Sequence, residues 1–343
     1  MKRHALNWAL TGSVVCFCLS LFAAIPAASA ADTVTLTYSN FFPPTHVQSQ
    51  LSESWCREVE KRTEGRVKVQ YYAAQTLTKA KQTYDSVIDG IADIGTSALA
   101  YTRGRFPVMS AIDLPFGYPS GTAATAVAND VYAKFTPKEF ADTKVLYFHA
   151  HGPGMLHTRD KAVRTQADLA GLKIRSTGTS AEVVKALGGT PVPMPMPESY
   201  QSLQKGVVDG SMYPVEANKG WKLGEVTRYA TYAYSAGYTT TFFVVMNKAK
   251  WDAIDPADQK IIEDVSQEWA GMHGEAWDMS DREGMRFFLQ QGNTIFGLDA
   301  AESEKWAAAV APLMDAYAAD LDKKSLDGKA VVETIRESLK KQQ

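Results

Sequence analysis

The sequence predicts an α/β fold arranged as two parallel-sheet lobes, and three observations carry that prediction. Helix and strand patterns alternate along the chain, as they do where parallel strands are joined by crossover helices. Two similar units recur. Thr83 to Ile88 reads as a helix ending at Asp89-Gly90, followed by a strand from Ile91 to Ile94 and then Gly95-Thr96-Ser97-Ala98. Tyr200 to Val208 reads as a helix ending at Asp209-Gly210, followed by a short extended segment and Tyr213-Pro214. In each unit glycine stops the helix in a left-handed conformation, and the strand that follows runs into a polar loop. The third observation is a helical pattern from Pro256 to Gln290; at about 1.5 Å per residue it extends roughly 50 Å, more than one small lobe is wide. Such a helix bridges both lobes. Two helices broken near Gly271 and Gly274 are the alternative.

The first thirty residues read as an export leader. Lys2, Arg3 and His4 form a basic start, the run from Ala5 to Pro26 is mostly apolar, and Ala28-Ser29-Ala30 is a small-residue cleavage site. The mature chain is therefore expected to begin at Ala31, in the periplasm; an uncleaved membrane anchor is the other reading. Neither Cys16 nor Cys18 follows the small residues that lipid attachment needs. Of the three cysteines only Cys56 lies beyond the leader, so the mature chain has no intrachain disulfide and depends on packing. Loss of Lys2 and Arg3, with no acidic residue in the leader, moves the formal charge from -2 to -4. A mildly acidic chain without a basic tract argues against nucleic acid as a partner.

Taken in order, the first lobe opens with a strand from Val34 to Tyr38 that leads into Asn40-Phe41-Phe42-Pro43-Pro44-Thr45-His46. A helix follows from Val47 to Arg62, and Val67 to Tyr72 returns as a strand. Strand tips then meet at one edge of the sheet, where ligands sit in open α/β sheets. Further on, Leu172 and Ile174 alternate with Lys173 and Arg175 at the strand period. Thr179 and Glu182 have capping-box spacing, and Ala181 to Leu187 reads as a helix ending at Gly188-Gly189. Arg175 thus stands where a strand ends and a helix begins, a place for holding an anion. An ion pair with a neighbouring acid is the alternative. The expected organisation is lobe 1 over 31–153 with part of the C-terminal region returning to it, lobe 2 over 154–243, and over 244–343 the long bridging helix and C-terminal helices packing on both lobes.

Enzyme readings find little support. The chain has no G-x-S-x-G elbow, no P-loop, no G-x-G-x-x-G after a strand and no H-E-x-x-H. Cys56 falls within a predicted helix without a histidine partner. His149, His151 and His157 cluster in HAHGPGMLH, but no group of carboxylates or thiolates accompanies them, which favours packing at a strand end over metal binding. Pro193, Pro195 and Pro197, set between two elements of lobe 2, suggest a rigid wall. No cofactor is expected.

Several segments together resemble one family. LAGLKIR (169–175), PESYQSLQKGVVDG (197–210), DLPF (113–116), FFVVMNKAKWDAI (242–254) and the long helix after it are similar to the DctP-type periplasmic solute-binding proteins of tripartite ATP-independent periplasmic (TRAP) transporters. The resemblance covers nearly all of the mature sequence. It implies a two-lobed periplasmic binding protein fold with hinge strands and a long lobe-spanning helix, closing on a ligand. It also implies that the arginine of the KIR motif, here Arg175, pairs with a ligand carboxylate. A planar guanidinium suits that role, because it grips a carboxylate through two parallel hydrogen bonds.

Departures from the family pattern bear on the ligand. Where many relatives carry Gln-Glu-Asn-Pro this chain has Ser211-Met212-Tyr213-Pro214, so the ligand-contacting asparagine slot is Tyr213. By spacing, the slot of a second arginine in sialic-acid-binding relatives is Met155, and an aromatic slot is Met196. These changes favour a ligand with one anionic group and an apolar or aromatic body. Phe41, Phe42, Tyr101, Trp221 and Tyr238 are candidate walls, Thr96 and Ser97 candidate hydroxyls of lobe 1, and the loop Ser176 to Ser180 their counterpart in lobe 2. Glu216 is a candidate for a ligand hydroxyl or amine, or else a solvated loop charge; His46 is a contact, or else a surface histidine. The expected function is a non-catalytic receptor that captures an organic acid and delivers it to TRAP permease membrane subunits, acting as a monomer or weak dimer. The alternative is an exported sensing module for a signalling partner.

Overall fold

The structure is a computed structural model that describes residues 33–342; the expected leader and its cleavage site lie outside the described residues. Strands β1 (Val34–Asn40), β2 (Val67–Tyr72), β3 (Ile94–Ala98) and β4 (Thr143–Ala150) come first in the chain. They are followed by β5 (Gly154–Thr158), β6 (Lys173–Ser176), β7 (Thr190–Pro193), β8 (Gly210–Pro214), β9 (Tyr229–Tyr232), β10 (Thr241–Asn247) and β11 (Thr294–Gly297). These form two sheets, ordered β2-β1-β3-β10-β4 and β11-β9-β5-β8-β6-β7. The chain is thus two-lobed and α/β.

The sheets are mixed rather than purely parallel. β1 runs parallel to β2 and β3, whereas β10 is antiparallel to both β3 and β4. In the second sheet β6 is parallel to β7 and β8, and β5 is antiparallel to β8 and β9. The chain changes sheet three times: between β4 and β5, between β9 and β10, and between the long helix and β11. The expected lobe-2 span, 154–243, ends inside β10, which pairs within the first sheet, and β11 returns to the second. Sheet membership is settled by pairing between distant segments, which local patterns do not contain.

Helices Val47–Arg62 and Thr83–Ile88 match the expected bounds. The strand expected at Ile91 to Ile94 instead begins at Ile94 and takes in Gly95-Thr96-Ser97-Ala98, every residue of it buried. Asp93 causes the delay. Its carboxylate accepts from the amide (2.8 Å) and hydroxyl (2.9 Å) of Thr37 on β1, which fixes where the turn ends. The helix expected over 200–208 covers only Ser199–Gln204, closed by Gly206 at φ 71°. No capping box forms at Thr179, whose hydroxyl donates to the Asp113 carbonyl at 2.7 Å, while Glu182 pairs with Arg103 at 2.9 Å.

Pro256–Gln290 is one unbroken helix of 35 residues, with Asp255 as its N-cap and Pro256 in the first turn. Ile262, Val265 and Trp269 on its first half pack into the core beneath the first sheet. Its second half lies against lobe 2, where Gly284 allows close approach: a Cβ there would stand 2.2 Å from the Val215 carbonyl oxygen. Between these halves, Asp278 accepts from Gly121 N at 2.5 Å at the start of helix Gly121–Phe135, and Asp281 accepts from Glu216 N at 2.8 Å. Carboxylates one turn apart therefore hold one lobe each. No helix among the described residues is long and apolar enough to cross a membrane.

Candidate functional site

Arg175 is on β6 with only 3% of its surface exposed, opposite Val192 of β7 and Ser211 of β8. Its Nε donates to the Met194 carbonyl (3.0 Å) and Nη1 to the Met212 carbonyl (3.3 Å), which orients the guanidinium plane. Among the described residues it forms no ion pair with a carboxylate. Two of its five N–H groups meet carbonyls and the Tyr101 hydroxyl lies close to the guanidinium, so at most three remain for a guest. The charge is buried and unneutralised, and the arginine faces a cavity between the lobes. A buried cation of this kind calls for an anion.

Aromatic rings make most of the remaining wall. Phe41 and Phe42, just after β1, lie 4.2 Å apart by ring centroids, and Phe242 of β10 stacks on Trp277 of the long helix at 5.4 Å. From lobe 2, Trp221 stacks on Phe41 at 6.1 Å across the cleft. Tyr101, Met196, Tyr213 and Tyr238 add further apolar surface, with Thr177 and Thr240 as polar interruptions. The empty space among these residues, including what opens to solvent, is about 370 Å³.

The lobes meet around this cavity. Thr179 donates to Asp113 O, Arg103 pairs with Glu182, Met196 N donates to the Tyr101 hydroxyl at 3.1 Å, and His46 Nε2 lies 3.0 Å from Glu216 Oε2. In every case one partner belongs to each lobe. The cleft is therefore closed.

Of the residues expected at the site, Arg175, Tyr213, Met196, Phe41, Glu216 and Tyr238 line the cavity, as do Phe42, Tyr101 and Trp221. Two do not. Ser97 is buried in β3 and donates to the Ala80 carbonyl at 2.6 Å, because Ser97 belongs to a strand interior and not to a loop. Met155 is 1% exposed within β5, paired with Tyr213, and is packed away from the cavity lining. Thr96 likewise turns to the Tyr38 hydroxyl. Tyr213 offers its ring alone. Its hydroxyl donates to Asn218 Oδ1 at 3.0 Å and meets Thr227 Oγ1 at 3.1 Å, while His157 stacks on the ring at 3.9 Å. Neither Glu216 nor His46 is a surface group; they are 2% and 1% exposed.

Sequence reasoning missed Trp277, Phe242, Thr240 and the cavity-facing position of His151. Trp277 lies on a helix read only for its length, and FFVVMN was read as a family segment instead of a wall. Burial draws His151 down to about 4, with the positive field of Arg175 adding to the effect, so it is neutral at pH 7. Among the described residues Arg175 is thus the one permanent cation on the lining, and Glu216 the one carboxylate. Behind the wall, Trp277 Nε1 donates to His149 Nδ1 at 3.1 Å and His149 stacks on His273 at 4.4 Å. Among the described residues no group of three or more His, Cys, Asp or Glu is placed to hold a metal.

A closed two-lobed α/β receptor with one free guanidinium at its cleft is the architecture of a solute-binding protein. Residues 38–320 match the family described as bacterial extracellular solute-binding protein, family 7 (DctP), and the chain belongs to that family of TRAP transporter receptors, which are binding proteins and not enzymes. Its members work in the periplasm. A TRAP solute-binding protein from Rhodoferax ferrireducens, in complex with copurified benzoate, is 33% identical with a TM-score of 0.85, over 90% of this chain and 98% of that one. One from a marine metagenome, specific for aromatic acid ligands and crystallised with 3-hydroxybenzoate, is 32% identical with a TM-score of 0.85, over 90% and 99%. The 2,3-diketo-L-gulonate-binding periplasmic protein of Escherichia coli is 27% identical over 275 residues, 78% of this chain and 80% of its own.

Proposed function

We propose that this protein captures a small aromatic or otherwise apolar monocarboxylate and presents it to the membrane subunits of a TRAP permease. The observation that carries the reading is Arg175, buried without a carboxylate partner among the described residues and facing a cavity walled by Phe41, Phe42, Trp221, Phe242 and Trp277. A carboxylate meets the free N–H groups, the ring stacks between the walls, and exclusion of water strengthens the charge-assisted bonds. Glu216 disfavours a second carboxylate, since like charges at close range in a closed cleft repel. Similar receptors that hold benzoate and 3-hydroxybenzoate support the ring-bearing ligand class.

Selection works through closure. Ligand bridging both lobes stabilises the form in which Thr179 reaches Asp113 and Met196 reaches Tyr101, and the permease reads that closed shape. Export with cleavage after Ala30, lobes divided near 153 and 243 with the C-terminal region packing on both, a monomeric or weakly dimeric state and the absence of a nucleic-acid partner complete the reading. The test is a thermal-shift series with benzoate, mandelate and succinate. Benzoate and mandelate are expected to raise Tm by a few degrees and succinate to leave it unchanged. Stabilisation by succinate alone overturns the proposal.

A further inference from the structure

We infer that Glu216, set beside His46 across the cleft, is the reader of a hydroxyl group on the ligand ring. The inference rests on the aromatic-acid reading above and adds to it which aromatic acids are preferred.

The argument starts from His46. This residue caps helix Val47–Arg62, and its Nδ1 accepts the Gln48 amide at 3.2 Å. An acceptor nitrogen carries no proton, so in the neutral ring the hydrogen is on Nε2. Nε2 lies 3.0 Å from Glu216 Oε2, yet the alignment is too poor for a hydrogen bond, and Nε2 has no other partner among the described residues. Glu216 thus brings about four acceptor positions into a closed cleft, and the histidine meets at most one of them. No other described side chain or amide donates to its carboxylate.

The local backbone is arranged around this pair. Glu216 N donates to Asp281 on the long helix at 2.8 Å, which fixes the turn after β8. Gly220 leaves space directly over the contact: a Cβ there would stand 2.5 Å from Glu216 Oε2 and 2.8 Å from His46 Nε2. Glu216 borders the cavity that Arg175 faces, whose walls are largely aromatic, and with His46 and Gly220 it also borders an outer cavity lined by Lys219 and Lys222. A buried carboxylate in such surroundings requires donors, and a guest can bring them. Arg175 takes the acid end of the ligand. An O–H elsewhere on the ring then donates to Glu216 and completes what His46 leaves unmet. A ring without that hydroxyl leaves the carboxylate facing hydrocarbon, a mismatch that sites built to bond a hydroxyl penalise strongly.

Isothermal titration of the full mature chain at neutral pH tests this with benzoate, the three monohydroxybenzoates and the corresponding methoxybenzoates. At least one hydroxybenzoate is expected to bind about tenfold or more tightly than benzoate, and its methoxy counterpart to lose that gain, since a buried hydrogen bond to a charged group is worth that much. Glu216→Met, similar in size but unable to accept such a bond, is expected to remove the hydroxyl preference, so that benzoate and the hydroxybenzoates bind within about twofold of one another. Equal binding of benzoate and every hydroxybenzoate by the unaltered protein overturns the inference and leaves the aromatic-acid reading standing. Parallel weakening of benzoate and hydroxybenzoate by Glu216→Met overturns it too. Failure of every ring acid to bind, hydroxylated or not, overturns both readings together.

Discussion

The two walls of the cleft differ in kind. Lobe 1 and the long helix present rings, Phe41, Phe42, Phe242 and Trp277, whereas lobe 2 presents the charges, Arg175 and Glu216, beside the rings of Trp221 and Tyr213. The charged wall is set by strand ends and held by backbone: Arg175 by two carbonyls, Glu216 by Asp281. The aromatic wall is set by packing, each ring supported by another at 4.2–6.1 Å. Directional groups on one side and adaptable surface on the other let orientation and fit be tuned separately. Closing the cleft is what brings the two together.

Removing the charged wall should have the largest effect. Arg175→Ala is expected to weaken binding of benzoate-type acids by about a hundredfold or more, as truncating one partner of an enclosed charge pair does. Its ligand-free Tm should stay nearly unchanged, because the residue forms no ion pair that folding depends on. Calorimetric titration beside a thermal melt checks both halves, and binding that survives the substitution breaks the comparison.

Asp281 sharpens the comparison from the supporting side. Burial raises its carboxyl to about 8, the nearby negative charges of Glu216 and Asp278 add to this, and the Glu216 amide opposes it. Burial likewise raises Asp113, which accepts from Thr241 N at 2.8 Å, to about 8. Each acid is protonated in the folded chain and ionised in the unfolded chain between the ordinary carboxyl range and about 8. The unfolded state binds fewer protons there, so stability falls as pH rises through that window, by at most about 1.4 kcal/mol per pH unit per group. Denaturant melts from about pH 5 to about pH 8 should show the decline, and Asp281→Asn should reduce its slope. A flat profile in the unaltered protein counts against both buried acids.

Smaller effects belong to the aromatic wall and the rim. Phe41→Leu keeps an apolar surface but loses the stack with Trp221, so ring acids should bind roughly three- to tenfold more weakly, in line with ~0.5–1.5 kcal/mol for an aromatic pair. Arg103→Ala breaks the exposed contact with Glu182 and should change affinity by less than about fivefold, since pairs open to water contribute ~0–1 kcal/mol. If the rim outweighs Phe41, closure and not ring stacking sets affinity.

Much of this was legible in the sequence where the signal is local. The helix Val47–Arg62 has a clean beginning and end, Pro256 starts the long helix, and Arg175 follows a strand alternation that ends at a helix start. What failed was sheet membership and side-chain direction. Ser97 looks like a loop hydroxyl because small polar residues flank it, yet β10 pairs beside it and makes it interior. Met155 has the right spacing, but its direction depends on pairing with β8. Glu216 and His46 are ordinary polar residues in sequence and become a buried pair only when the lobes meet. Trp277 gave no local sign of facing a cavity, since a tryptophan on a helix packs into a core by default.

The position of β10 has a consequence for how the chain matures. It is made after most of lobe 2, yet it occupies the slot between β3 and β4. Any fragment ending before Thr241 would carry a first sheet split into two pieces, each with a raw edge open to pairing with the wrong neighbour. The amino-terminal half is therefore unable to mature on its own, and a chain emerging end-first must be kept from sticking until its later residues arrive.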